Sequence, residues 1–237
     1  MRALIHGLKI EKKDMNAFLI LLSAPVLLTL YYYHGCAPCF AQYFPAFKEN
    51  PLIGLFNTFW QFGVFFALVF LIPLLFIKLR LKAPLRDFGL SLGDKKFGLA
   101  MVLVAIPFIV APLIYIGSRF PDLRAEYPLA KILLQRHDLV IWYELAYVLF
   151  YYTAWEFFFR GFLLFGLREK YGDMTAIMIQ TISSCLIHLG KPESEILGSI
   201  VMGILFGVIV LRTRSIWYAF AIHAGIGVLT DLFIIFL

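Results

Sequence analysis

Residues 148–166 read Val-Leu-Phe-Tyr-Tyr-Thr-Ala-Trp-Glu-Phe-Phe-Phe-Arg-Gly-Phe-Leu-Leu-Phe-Gly, an apolar run of bilayer-spanning length that carries Glu156 and Arg160. A charged side chain at the centre of a bilayer costs about 2.5–3.5 kcal/mol on insertion scales, so such residues persist where they face a partner or a polar cavity. Four residues apart on a helix, Glu156 and Arg160 share a face and can pair. A self-neutralising structural ion pair is the plain alternative to a functional site.

The composition around this run fixes the class. Hydrophobic residues make up 62% of the 237 residues, aromatic ones 17% and charged ones only 15%, far from a soluble domain. A helix needs roughly 20 apolar residues to cross about 30 Å of hydrocarbon, and seven stretches qualify, near 15–33, 52–77, 97–117, 139–165, 174–190, 195–211 and 215–237. The expected fold is an all-α, polytopic transmembrane bundle of seven to eight spans. The second and fourth stretches are long, which implies tilt or a break. Three regions are expected: membrane-anchoring spans over 1–80, a basic interfacial loop over 81–98 and a core over 99–237.

The net charge of +6 does not point to nucleic acid, because Lys and Arg follow the positive-inside pattern. With the N-terminus inside, the inner segments hold fourteen (Arg2, Lys9, Lys12 and Lys13 among them) and the outer loops six. The expected location is a cytoplasmic membrane of bacterial type, with the N-terminus in the cytoplasm. The first 14 residues are polar and basic, and the first span lacks a small-residue cleavage site, so it reads as an anchor rather than a cleaved signal. From Arg80 to Phe97, basic residues alternate with Leu85, Phe88, Leu90 and Leu92, a pattern that fits a segment on the inner membrane surface and equally a plain basic loop. Pro121 and Pro128 preclude a long helix in the outer stretch 119–138. Cys36 and Cys39 sit in an outer loop, where an oxidising compartment would allow a disulfide. Cys185, alone in a helix, reads as packing.

Two further polar groups lie in or at the ends of spans: His188 in Ile-Ser-Ser-Cys-Leu-Ile-His-Leu-Gly, and His223 in Phe-Ala-Ile-His-Ala-Gly-Ile-Gly. A carboxylate and two imidazoles around one cavity can bind and deprotonate water. Gly198, Gly203, Gly207, Gly225 and Gly227 allow close helix approach, though packing alone accounts for them.

These residues resemble the CPBP family, also called the Abi or CAAX-protease family, intramembrane proteases that include the type II prenyl-protein endopeptidases. The likeness runs over about residues 84–237. The family order is Glu-Glu-x-x-x-Arg, Phe-x-x-x-His and His-x-x-x-Asn or Asp. Glu156 matches the second Glu, Arg160 the Arg, His188 the first His and His223 the second. Trp155 replaces the first Glu, which in the family activates water; Ser184 replaces the Phe, and Gly227 the Asn or Asp.

The resemblance implies hydrolysis of a membrane-embedded or lipidated peptide, with Glu156 as general base restrained by Arg160, His188 sharing the water and His223 stabilising the oxyanion. Glu156, His188 and His223 are also the set that would hold a divalent metal such as zinc, although the His-Glu-x-x-His helix of zinc proteases is absent. Glu193 and Glu195, just after His188, could in principle supply a carboxylate, although a surface-loop pair is usually solvated, and Asp231 reads as a weak substitute for the missing Asn. A catalytically silent relative that binds membrane peptides is the second reading; a transporter or bis-His haem protein is the third. At 1.5 Å per residue, Glu156 and His223 lie roughly 15 and 12 Å from the inner surface and His188 roughly 21 Å. A shared cavity therefore needs tilt or a shorter fifth span.

Overall fold

The computed structural model describes residues 14–237, so Arg2, Lys9, Lys12 and Lys13 lie outside the described residues. In hydrocarbon every backbone N–H and C=O must be satisfied within its own segment, which drives apolar runs into helices. The described residues form helices and turns: α1 (Met15–His34), α2 (Ile53–Leu81), α3 (Lys95–Gly117), α4 (His137–Tyr171), α5 (Asp173–Leu186), α6 (Glu193–Thr213) and α7 (Trp217–Phe236). Short helices at Cys39–Tyr43 and Pro121–Glu126 lie in the connections.

Six of the seven long elements are long and apolar enough to cross a membrane. The exception corrects the expectation of a seventh full span at 174–190. α5 has 14 residues, about 21 Å of helix, and stops at Leu186 ahead of Gly190, with φ +96°, and Pro192, which starts the next helix. The two long spans are unbroken. α2 and α4 absorb their length in wide i→i+5 turns, at Ala67–Leu71 and Phe76–Leu81 in α2 and at Tyr147–Tyr152 and Phe157–Leu163 in α4. Such turns insert extra residues without breaking the helix.

α4 is the central helix. Of its apolar window 67% is buried, against 11% for α3, so α3 faces lipid while α4 is wrapped by protein. Aromatic rings join α2 to α4: Phe62 stacks on Tyr147 with centroids 4.7 Å apart, and Phe65 lies 4.5 Å from Tyr151 and 5.7 Å from Trp155. Offset and edge contacts of this kind add about 0.5–1.5 kcal/mol per pair beyond area burial. α5 and α6 form a tight hairpin, because Gly203 leaves room for Thr181; a Cβ there would lie 2.8 Å from the Thr181 methyl. Gln180 Nε2 donates to Gly203 O at 2.8 Å across the same contact.

The loop between α2 and α3 clamps the turn between α6 and α7. Ile216 N donates to Gly89 O (2.9 Å), Asp94 N to Thr213 O (2.9 Å) and Tyr218 Oη to Leu92 O (2.6 Å). Leu85, Phe88 and Leu90 pack onto the protein core, whereas Leu92 is exposed. Asp94 caps α3 by accepting from Phe97 N at 3.1 Å and pairs with Arg212. The Phe97 N–H, with Arg212 beside it, holds that carboxyl below the usual carboxylate range.

Cys36 and Cys39 are joined by a disulfide in the connection after α1. The loop it closes is short, so chain entropy gives it little to contribute. Cys36→Ser is expected to cost at most about 2 kcal/mol, checked by thermal unfolding in detergent, and to leave any activity in place.

Candidate functional site

Glu156 sits at the middle of α4, on the segment between its two wide turns, and is 0% exposed. Its Oε1 is within 2.7 Å of His223 Nδ1 on α7 and 3.3 Å of Arg160 Nη1 one turn along α4. Arg160, 2% exposed, lies over the rings of Phe159 and Phe206, 5.8 and 5.6 Å from their centroids, where aromatic faces help to hold a cation in apolar surroundings. Three of the four expected site residues thus form one buried unit.

His188 joins from the turn after α5. Its Nδ1 lies 2.7 Å from Ser184 O; a carbonyl can only accept, so Nδ1 carries the proton and Nε2 presents its lone pair. The Trp155 indole packs edge-on against both imidazoles, with ring centroids 5.0 Å from His188 and 5.8 Å from His223. The depth mismatch disappears because the fifth helix ends early and His188 folds back from its turn.

Both imidazoles line a cavity of about 490 Å³ between α3, α6, α7 and the 120–127 loop, and Trp155 and Arg160 line it with them. Glu156 does not line it. Its carboxylate is enclosed, and Oε1 is engaged by His223 and Arg160, both of which line the cavity. The carboxylate that does reach the cavity is Glu195, which the sequence reading set aside as solvated. Its Oε1 accepts from Tyr127 Oη at 2.8 Å and lies 4.0 Å from His188 Nε2.

Gly227 also lines the cavity, and its missing side chain is replaced from another helix. A Cβ at Gly227 would lie 1.7 Å from the Tyr152 hydroxyl oxygen, so a phenol from α4 occupies the space beside His223 where the family pattern places an amide or carboxylate. Tyr152 packs against His223 with centroids 4.9 Å apart. Asp231 does not contribute to the cavity. It is buried beside the Tyr143 phenol and does not belong to the lining. Glu144, a further buried carboxylate, also lies outside the lining and was missed, although its place in an apolar span was signal enough.

The three-residue metal set does not fit this arrangement. Among the described residues no group of three or more His, Cys, Asp or Glu side chains is gathered to hold a metal ion, and Glu156 Oε1 is already engaged by His223 and Arg160.

Fold and site together define an integral, multi-pass α-helical membrane protein with a buried Glu-Arg-His cluster behind a cavity that two imidazoles line. A family model described as type II CAAX prenyl endopeptidase Rce1-like matches residues 137–229, the segment from the start of α4 into α7 that carries every member of the cluster. The resemblance to the CPBP proteases read from the motifs therefore stands over this segment, and the family is one of membrane-embedded, protease-type enzymes with lipidated peptide substrates. Comparison with curated proteins and with solved structures gave no match.

Proposed function

We propose that the protein is an intramembrane endopeptidase that hydrolyses a membrane-anchored or lipid-modified peptide. The observation that carries this reading is the 2.7 Å contact between Glu156 and His223 Nδ1 directly behind a cavity that both imidazoles line. A carboxylate on Nδ1 fixes the ring orientation and supports positive charge on it, as in hydrolytic triads. His223 then presents Nε2–H to the carbonyl oxygen, which gains negative charge as the carbonyl is attacked, and Arg160 adds a second positive charge on the same wall. His188, with its proton on Nδ1, offers the Nε2 lone pair to hold the attacking water. Glu156 is the positioning residue in this scheme.

We place the basic end, with Lys78, Arg80, Arg86, Lys170 and Arg214, on the cytoplasmic side of a bacterial cytoplasmic membrane, following the positive-inside rule. The test is cleavage of an internally quenched, farnesylated peptide by the purified protein in lipid nanodiscs. The expected result is a single cut that incorporates ¹⁸O from labelled water. A wild type inert towards both this peptide and an unmodified transmembrane peptide would overturn the reading. The second reading, a binder without turnover, is favoured by Trp155, whose indole stands against both imidazoles; retention of the uncut peptide would support it.

A further inference from the structure

We propose that Glu195, in the first turn of α6, is the carboxylate that takes the proton of the attacking water; this rests on the hydrolytic reading above. Water activation needs a proton acceptor that reaches the cavity. Among the described lining residues Glu195 is the one carboxylate. The other nearby candidates are otherwise placed. Glu156 is enclosed, Asp231 and Glu144 lie outside the lining, Glu193 is exposed, and Glu126 is ion-paired with Lys191.

The geometry around Glu195 suits an acceptor held in one orientation. Tyr127 Oη donates to Oε1 at 2.8 Å, and Tyr127 is itself buried, with its carbonyl accepting from Lys131 Nζ at 2.8 Å. One oxygen is thus pinned. The other, Oε2, is buried and accepts no hydrogen bond from the protein, and a buried carboxylate oxygen left so is costly unless water or substrate satisfies it. His188 Nε2 lies 4.0 Å from Oε1, too long for a direct hydrogen bond, and contacts of that length call for a bridging water. The charged and titratable groups around the carboxylate are His188, Tyr127, Lys191 and Glu126, with Tyr151 and Tyr152 of α4 beyond them. The position at the N-terminus of a 21-residue helix further favours negative charge.

In the step, the water oxygen forms the bond to the carbonyl carbon while one water proton passes to Glu195 and the carbonyl π electrons move to the oxygen facing His223. When the C–N bond breaks, Glu195 returns that proton to the departing nitrogen and is again a carboxylate. His223, positioned by Glu156, holds the oxyanion together with Arg160; Glu195 and His188 hold the water. The two carboxylates therefore take separate tasks on separate helices, and Trp155 separates the two imidazoles.

The test compares the wild type, Glu195→Gln and Glu193→Gln on the farnesylated peptide in nanodiscs, together with ¹⁵N-histidine NMR titration of each. Glu195→Gln is expected to lower kcat about 100-fold with KM within threefold, and to flatten the acidic limb of the pH–rate profile, whereas Glu193→Gln leaves both unchanged. In the NMR titration, removing a carboxylate that shares a water with His188 should move the His188 midpoint down by about half a unit. Wild-type turnover with Glu195→Gln retaining more than a third of it, or a His188 midpoint that does not move, would overturn the proposal while sparing the protease reading. An inert wild type would instead remove the protease reading and this step with it.

Discussion

Glu156→Gln is expected to reduce peptide cleavage by about 10³- to 10⁴-fold, the scale seen when the carboxylate behind a catalytic imidazole is replaced by its amide. The amide keeps the volume but removes the charge that faces His223 Nδ1 at 2.7 Å and Arg160 at 3.3 Å. Because Glu156 does not line the cavity, the loss should fall on kcat and leave KM within a few-fold. The same change leaves Arg160 buried without its partner, and breaking a buried pair on one side costs about 3–5 kcal/mol, read as a lower unfolding temperature in detergent. Adding Arg160→Met to Glu156→Gln should restore much of the stability and none of the turnover. A single variant with activity within tenfold of wild type would remove Glu156 from the mechanism.

The second large effect is expected at Gly227. In Gly227→Ala the new Cβ would lie 1.7 Å from Tyr152 Oη and 2.6 Å from its Cζ. Tyr152 is buried, and its ring rests on Tyr147 and His223, with centroids 4.6 and 4.9 Å away, so a displaced phenol pushes on the imidazole. Overpacking of this kind costs about 1–3 kcal/mol, and a displaced His223 should lower turnover at least about tenfold, since misplacement of about 1 Å can cost 10²-fold. Thermal unfolding and the peptide assay read the two parts. Tyr152→Phe in the same chain removes the hydroxyl that the new Cβ meets first and should recover part of the stability. An unchanged unfolding temperature in Gly227→Ala alone would mean that Tyr152 does not fill that space.

Much of this was legible in the sequence because it is local. Glu156 and Arg160 are one helical turn apart, and their pairing follows from spacing alone. The spans follow from apolar length, except α5. There the run through residue 190 looked long enough, while Gly190 and Pro192 end the helical phase sooner. The less legible part is long-range. Glu195 looks solvated beside Lys191 and Glu193, yet it is half-buried and held by the hydroxyl of Tyr127, 68 residues earlier. The exchange between Gly227 and Tyr152 is likewise invisible along either helix, since it is a matter of shared volume. Trp155 read as a lost function at one position, whereas the carboxylate facing the cavity comes from another helix.

One feature of the fold reaches beyond the chemistry. α3 is the least buried span and turns Leu113 to its surroundings, yet Leu113, Ile114 and Gly117 also form a wall of the cavity. On the proposed protease reading, a substrate anchored by a lipid chain would arrive sideways, within the plane of the bilayer. Encounter becomes a two-dimensional search governed by the mole fraction of substrate among lipids, so added lipid dilutes the reaction even when the bulk concentration of every solute is held fixed.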